Sequence, residues 1–373
     1  MKRCFLLFVL VILVTLPAFA QLAPDKLVFA ADSTLVDSLK HTEYPFLFPI
    51  WGDKVQKLGI QMPLSAGVGV NYLWSESDLL IQNLTVGFNY GPMVDLSNVV
   101  RINGATATAS GVNIRPDLFI LPFLNVYGIF GVAKTSTSID ASVWLPDSAN
   151  NWHQVTAFSS KANFDVTTIG FGLTPTFGLG GGWLALDMNF AWSDVSALDK
   201  PAFSFVVGPR FGKTFKLSDP DQAVTVWVGA FRLSIGSETN GSINLSEVLP
   251  LEGLQGKVDQ GQIRVDQAQQ QVDAWWNGLS QTEKNNPVNK AKHDAANNAL
   301  GAAGSLLTSL DGALSNAQDA TVQYSLSKSQ LKLWNFIVGG QFQLNPHLML
   351  RGEYGFLGAR HQFLGGLQYR FGL

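Results

Sequence analysis

Residues 64–74 read LSAGVGVNYLW. Leu64, Ala66, Val68, Val70, Tyr72 and Trp74 share one parity, and Ser65, Gly67, Gly69 and Asn71 share the other. A period of two puts successive side chains on opposite faces of a strand, so this stretch has one apolar face and one small or polar face. The pattern returns in GWLALDMNFAW (182–192), AFSFVVGPRFGKTF (202–215), KLWNFIVGGQFQL (332–344), HLMLRGEYGF (347–356) and the closing LGGLQYRFGL (364–373). The polar faces are sparse and rich in Gly, Ser, Asn, Gln and Thr, and the apolar faces repeatedly end in Trp, Tyr or Phe. A soluble sandwich would carry many Lys and Glu outside and aliphatic residues inside. Aromatic ends on an outward apolar face fit a transmembrane β-barrel with girdles at the bilayer interfaces.

Composition agrees. Charged residues make up 14% of the 373, against the ~25% usual for soluble domains. The first twenty residues have a positive start (Lys2, Arg3), an apolar run from Phe5 to Val14 and the small residues Ala18 and Ala20. That is the layout of a cleaved secretory signal peptide over 1–20, and it is short for a membrane anchor. Its removal takes the sole cysteine, Cys4, and leaves 23 basic against 28 acidic residues, a net charge of −5. An acidic balance argues against nucleic acid, whose phosphates need basic partners. No later apolar run reaches about 18 residues, so spanning helices are excluded and strands remain.

The expected fold is a closed antiparallel transmembrane β-barrel of about twelve strands. The expected strands are 64–74, 79–90, 97–104, 111–121, 123–137, 163–178, 182–193, 203–216, 222–237, 321–344, 347–357 and 361–373. With both ends of the chain in the periplasm, GPMVDL, LP, GLGGG, LSDPDQ and NP become short periplasmic turns, and the longer connections lie outside. The barrel then occupies 61–373, interrupted by an insert over 246–318 in an extracellular loop.

That insert changes period. Leu251, Leu254, Val258, Gly261, Val265, Ala268, Val272, Trp275 and Leu279 step by threes and fours. Ala296, Leu300, Ala303, Leu307, Leu310, Leu314 and Ala317 do the same. Each makes an apolar seam on a helix, so the insert is an α-helical hairpin. Ser280 with Glu283 forms a capping box, and Asn286 before Pro287 suits a second helix start. The hairpin is either a decoration, a cap on the pore mouth or a surface for an unknown partner. The segment 21–60 contains YPFLFPIWGDKVQKLG, too proline-rich to span. Its aromatic density predicts ordered packing at the periplasmic rim or as a plug in the lumen.

LFPIWGDKV (47–55), RPDLFILPFLNVYGIFG (115–131) and GGLQYRFGL (365–373) resemble segments of functionally uncharacterised outer-membrane barrel proteins of Gram-negative bacteria. The resemblance implies an outer-membrane location, lipid as the surrounding partner, and recognition by the barrel assembly machinery. The assembly signal it implies is carried by Phe363, Leu367, Tyr369, Phe371 and Leu373, with leucine where that signal usually ends in an aromatic residue.

No chemistry is legible. His41, His153, His293, His347 and His361 include no metal-spaced pair, and neither a G-x-S-x-G elbow nor a barrel-phospholipase H-x-S-x-G occurs. The expectation is a chain that is not an enzyme and holds no cofactor or metal. Inward parity collects Asp187, Asn189, Arg210, Gln341, Gln343, Arg351, Glu353, Gln368 and Arg370 as candidate lumen-lining residues. Such charges either pair and fill a narrow barrel or form a polar constriction that selects a solute. The leading expectation is a narrow channel or transporter for small solutes or lipids. The alternative is a structural or partner-binding barrel acting through its hairpin, and a membrane-barrel hydrolase is a third.

Overall fold

The computed structural model describes residues 33–146, 151–196, 198–219, 221–235, 238–248, 251–317 and 319–373. The expected signal peptide over 1–20 and the start of the 21–60 segment lie outside them. Ten strands close a barrel by antiparallel neighbours: β1 (Ala66–Phe88), β3 (Val100–Leu121), β4 (Leu124–Pro146), β5 (Trp152–Leu179), β6 (Gly182–Val195), β7 (Ala202–Lys216), β8 (Ala223–Ile235), β11 (Trp334–Gln343), β12 (Leu348–Phe356) and β13 (Arg360–Phe371). The last pairs with the first, from Ala66 opposite Phe371 to Ser77 opposite Arg360, so no edge is left open. Three more strands, β2 (Val94–Asp95), β9 (Glu238–Asn244) and β10 (Thr321–Gln330), lie beyond the ring.

Ten is fewer than the twelve expected, because residues 64–90 and 97–121 form one long strand each rather than two. The polar runs SESD (75–78) and ATATAS (105–110), read as loops, are continuous strand paired Asp78 to Thr106 and Glu76 to Thr108. This moves GPMVDL from the terminal end of the barrel to the far end, where the long 236–333 connection also lies. The expected strand 321–344 breaks at 331–333 into β10 and β11. The final strand stops at Phe371.

The long strands explain themselves by polarity. A spanning strand needs about 9–11 residues, yet β3, β4 and β5 have 22, 23 and 28. In the terminal half of β4 the outward residues are Phe130 and Val132, both about half exposed. Higher on the same face come Lys134, Ser136, Ser138 and Asp140, while Ile139, Ala141, Val143 and Leu145 turn inward. Strand β5 follows suit: Ile169 and Phe171 face out below, and Asp165, Asn163 and Lys161 face out above. In β1, Val68, Val70 and Tyr72 are exposed, whereas Leu79 and Ile81 are buried. The alternation keeps its phase through each strand while the apolar side switches from outside to inside. The molecule therefore has a belt with an apolar exterior, and above it an extension with an apolar interior.

The belt is laced by aromatic pairs across strands. Phe171 and Phe190 stack at 5.1 Å, and tilted contacts join Phe190 to Phe205 at 4.8 Å and Trp192 to Phe203 at 5.3 Å. Each such pair contributes about 0.5–1.5 kcal/mol beyond its burial. At the top of the ring, β13 leaves β1 and β10 takes its place, pairing Leu79 with Gln330 through Phe88 with Val322. Arg360 holds this junction: its Nε donates to Ser77 Oγ at 2.8 Å and its Nη2 to Gln330 Oε1.

The helical hairpin consists of α4 (Leu254–Gly278) and α6 (Pro287–Leu314), following α3 (Leu245–Val248) and joined by the short α5 (Gln281–Lys284). The capping box is present: the Glu283 amide donates to Ser280 Oγ, and Glu283 Oε2 accepts from the Ser280 amide at 2.8 Å. Hydrogen bonding to Ser280 holds the Glu283 carboxyl below the usual range. Asn286 Oδ1 accepts from the Val288 amide at 2.9 Å. The seams do more than join the helices. Val265, Val272, Ala299 and Leu300 pack with Val99 and Leu145 of the extension, while Val258 and Leu310 pack with Phe88 and Val322. The hairpin is thus a lid resting on the extension.

The N-terminal helices α1 (Ser33–His41) and α2 (Gly52–Gln56) belong to the terminal end. The Phe48 amide donates to the Leu373 carbonyl at 3.0 Å, and the Ile50 amide to the Ile120 carbonyl at 2.9 Å. Phe46 lies against Gly372, where a Cβ would meet the ring at 1.9 Å. The segment is ordered at the rim, and the residues lining the lumen cavity begin only at Asn71.

Candidate functional site

Inside the barrel an ion-pair layer crosses the lumen. Arg210 of β7 grips Glu353 of β12 with two hydrogen bonds, Nε to Oε2 at 3.0 Å and Nη2 to Oε1 at 3.1 Å. Its third nitrogen, Nη1, lies 2.8 Å from Asp187 Oδ2 of β6. Planar guanidinium suits this double engagement, which one lysine could not supply. Arg351 Nη2 donates to Glu353 Oε2 at 3.2 Å, and Trp227 Nε1 donates to the same oxygen at 3.0 Å. Asp187 Oδ1 accepts from Thr174 at 2.6 Å and from the Tyr127 hydroxyl at 2.7 Å, with Arg115 3.8 Å away. Asn189 joins through Tyr127 at 2.8 Å. Arg115 stacks over the Tyr127 ring at 3.4 Å. Two carboxylates are therefore held by three arginines in a buried network whose ion pairs offset desolvation, although Arg351 Nε has no hydrogen-bond partner among the described residues.

Glycines make room for the two large rings in this layer. Tyr127 sits opposite Gly172, where a Cβ would come within 2.3 Å of the ring. Trp227 sits opposite Gly339 with the same 2.3 Å approach. Small residues beside large ones let the interior fill without voids.

Of the nine predicted lumen residues, five meet here: Asp187, Asn189, Arg210, Arg351 and Glu353. Arg370 and Gln368 belong to a second cluster nearer the terminal end, around Asp117. Arg370 Nη1 lies 3.0 Å from Asp117 Oδ1, Gln368 donates to Oδ2 at 2.6 Å, and Asn125 donates to Oδ1 at 2.8 Å. Gln341 contacts Met349 Sδ at 3.3 Å, and Gln343 donates to the Asp221 carbonyl at 3.0 Å, so neither joins the charged layer. Arg115, Asp117, Tyr127, Thr174 and Trp227 escaped the sequence reading. The first two were readable: Ile114 outward and exposed puts Arg115 and Asp117 inward by parity. Of the residues carrying the expected assembly signal, Phe363, Leu367, Tyr369 and Leu373 are exposed and Phe371 is half-buried.

Above the layer opens a cavity of about 1730 Å³. Its floor is Arg115, Asp187, Arg210, Arg351 and Glu353, and the next inward residues toward the terminal end, Asp117, Gln368 and Arg370, do not line it. Its walls are the inverted halves of the long strands, including Ile81, Val86, Ile139, Val143, Phe231 and Leu326. Val258, Val265, Leu306 and Leu310 of the hairpin form its roof. One gap in the wall is closed by a bridge between Leu198 and Gly241 and by the Asp199 amide donating to the Asn240 carbonyl at 3.3 Å. The arrangement can hold an apolar molecule between the hairpin and a charged floor that crosses the lumen.

No protein-family model matches the chain, and no curated protein matches it. Solved structures similar to it include the translocator domain of the autotransporter NalP from Neisseria meningitidis, at 9% identity over 91% of this chain and 93% of that one, with a TM-score of 0.31. The β domain of the Bordetella autotransporter BrkA is similar at 9% identity over 82% of this chain and 100% of that one, TM-score 0.29. An outer-membrane channel from Pseudomonas putida F1 is similar at 10% identity, over 83% and 96% of the two chains, TM-score 0.26. Scores this low support no further reading, and the closed barrel rests on its own strand pairing.

Proposed function

We propose that this chain is a Gram-negative outer-membrane barrel that takes an elongated apolar molecule into its extension, and that it is neither an open porin nor an enzyme. The apolar belt meets lipid, the start of β1 and the end of β13 face the periplasm, and the hairpin lies outside the cell. The connections at the terminal end run two to six residues, and the two longest connections, 89–99 and 236–333, both lie at the far end, which supports that orientation. Outward Phe363, Leu367, Tyr369, Phe371 and Leu373 are the proposed contact with the assembly machinery, with Leu373 replacing the usual aromatic.

One observation carries the functional reading: a roofed apolar cavity of about 1730 Å³ above a lumen closed by paired charges. Ordinary small-molecule pockets span about 300–1,000 Å³, so this one accepts a long molecule. The partner-binding alternative fits less well, since the apolar seams of the hairpin are spent on the extension. The protein purified in a non-ionic detergent is expected to enhance the fluorescence of 1-aminoanthracene, an apolar dye. Ala107→Trp, which fills the lining, should abolish most of that signal while the barrel stays folded. In a planar bilayer the unaltered protein should show no stepwise conductance. Steady open-pore currents without dye binding would contradict the proposal.

A further inference from the structure

The cavity wall is positively charged in an acidic protein. Among the described residues, eight basic and three acidic side chains line it, an excess of five positive charges in a chain whose formal net charge is −3. Two of those acids, Asp187 and Glu353, are engaged in the floor. The third, Asp199, lies in the loop that bridges to β9.

Two cations stand out because their partners are neutral. Lys328 shares the inward face of β10 with Leu326 and Gln330 and is paired in register with Ile81. No acidic side chain among the described residues lies within ion-pair distance of it, and burial alone pushes its ammonium below the usual lysine range. Arg360 is 9% exposed and lines the cavity. Its contacts are Ser77 Oγ, Gln330 Oε1 and the Phe231 ring at 5.7 Å. Gln330, which holds Arg360, is two residues from Lys328 on the same face, about 7 Å along the strand. A buried or half-buried cation without an anion is costly. An apolar chamber with two of them side by side is complementary to a long hydrocarbon with a negative end.

Deepening the reading above and resting on it, we infer that the occupant of the cavity is an anionic amphiphile. It has a single hydrocarbon chain, its carboxylate or phosphate lies between Lys328 and Arg360, and its tail lies under the hairpin. Neither cation would act chemically; they position the head and select its charge.

Equilibrium dialysis of the full-length barrel in non-ionic detergent tests this with oleate, oleyl phosphate and oleyl alcohol, which share one tail. A charge-assisted contact contributes about 1.5–3 kcal/mol, which is about tenfold or more in affinity. At least one anion should bind tenfold or more tighter than the alcohol, and the tighter of the two identifies the head. Lys328→Met should erase most of that preference, leave oleyl alcohol binding unchanged, and leave the denaturation midpoint unchanged or higher. Lys328→Arg should restore the preference. Equal binding of anion and alcohol by the unaltered protein, or an unchanged preference in Lys328→Met, would overturn the inference and leave the apolar cavity standing. Binding of none of the three would overturn both.

Discussion

Arg210→Met is expected to destabilise the barrel by about 3–5 kcal/mol, the usual cost of removing one partner from a buried charge pair. The loss is large because Arg210 serves two acids at once: Asp187 at 2.8 Å, and Glu353 through two bonds at 3.0 and 3.1 Å. Without it the two carboxylates share the lumen with only Arg115 at 3.8 Å and Arg351 at 3.2 Å. Urea titration in detergent micelles, followed by heat-modifiable gel mobility, measures the change. The triple variant Arg210→Met, Asp187→Asn, Glu353→Gln should recover most of the stability, since no charge is then left uncompensated. If the single and triple variants unfold alike, the layer does not act as a network. The single variant should also admit ions, giving conductance steps that the unaltered protein lacks.

Leu300→Asp is expected to undock the hairpin while leaving the ring intact. Leu300 is 1% exposed and sits among Val99, Leu145, Val265 and Val272, where helix meets extension. Deleting a buried leucine side chain costs about 2–5 kcal/mol, and a carboxylate in its place adds an unpaired charge. Trypsin needs an unfolded segment, so undocking should let α4 fray and speed cleavage at Lys257 and Arg264, exposed side chains at the rim of the cavity. Dye binding should fall together with that protection, and heat-modifiable mobility should persist. Unchanged cleavage at Lys257 and Arg264 would show that the seam does not hold the lid.

Most of the ring was legible because period-2 alternation survives wherever one face is apolar. Strand β13 closing on β1 and the helical hairpin with its capping box followed from local pattern alone. The strand count failed where the apolar side changes over. At Ser75–Asp78 and Ala105–Ser110 neither face is strongly apolar, so a hydrophobic pattern breaks while the backbone ladder does not. The lumen was only half legible for a related reason. Aromatic residues were assigned to the outside as girdle, yet Tyr127 and Trp227 are 2% and 5% exposed and donate to the buried acids. Val226 and Val228, both exposed, place Trp227 inward by parity, and the glycines beside the two rings mark the space they need. The cavity itself was not legible, since it depends on which strands outlast the ring and where the hairpin lands on them.

On the proposed orientation, the inversion of polarity along the long strands separates a lipid-facing belt from a chamber outside the bilayer. Single cysteines along the outward face of β4 test it in intact cells with a charged, membrane-impermeant maleimide. Phe130→Cys and Val132→Cys should stay unlabelled until detergent is added, whereas Ser136→Cys and Asp140→Cys should label at once. Shielding of positions 136 and 140 to the same degree as 130 and 132 would place the extension inside the membrane and contradict this account.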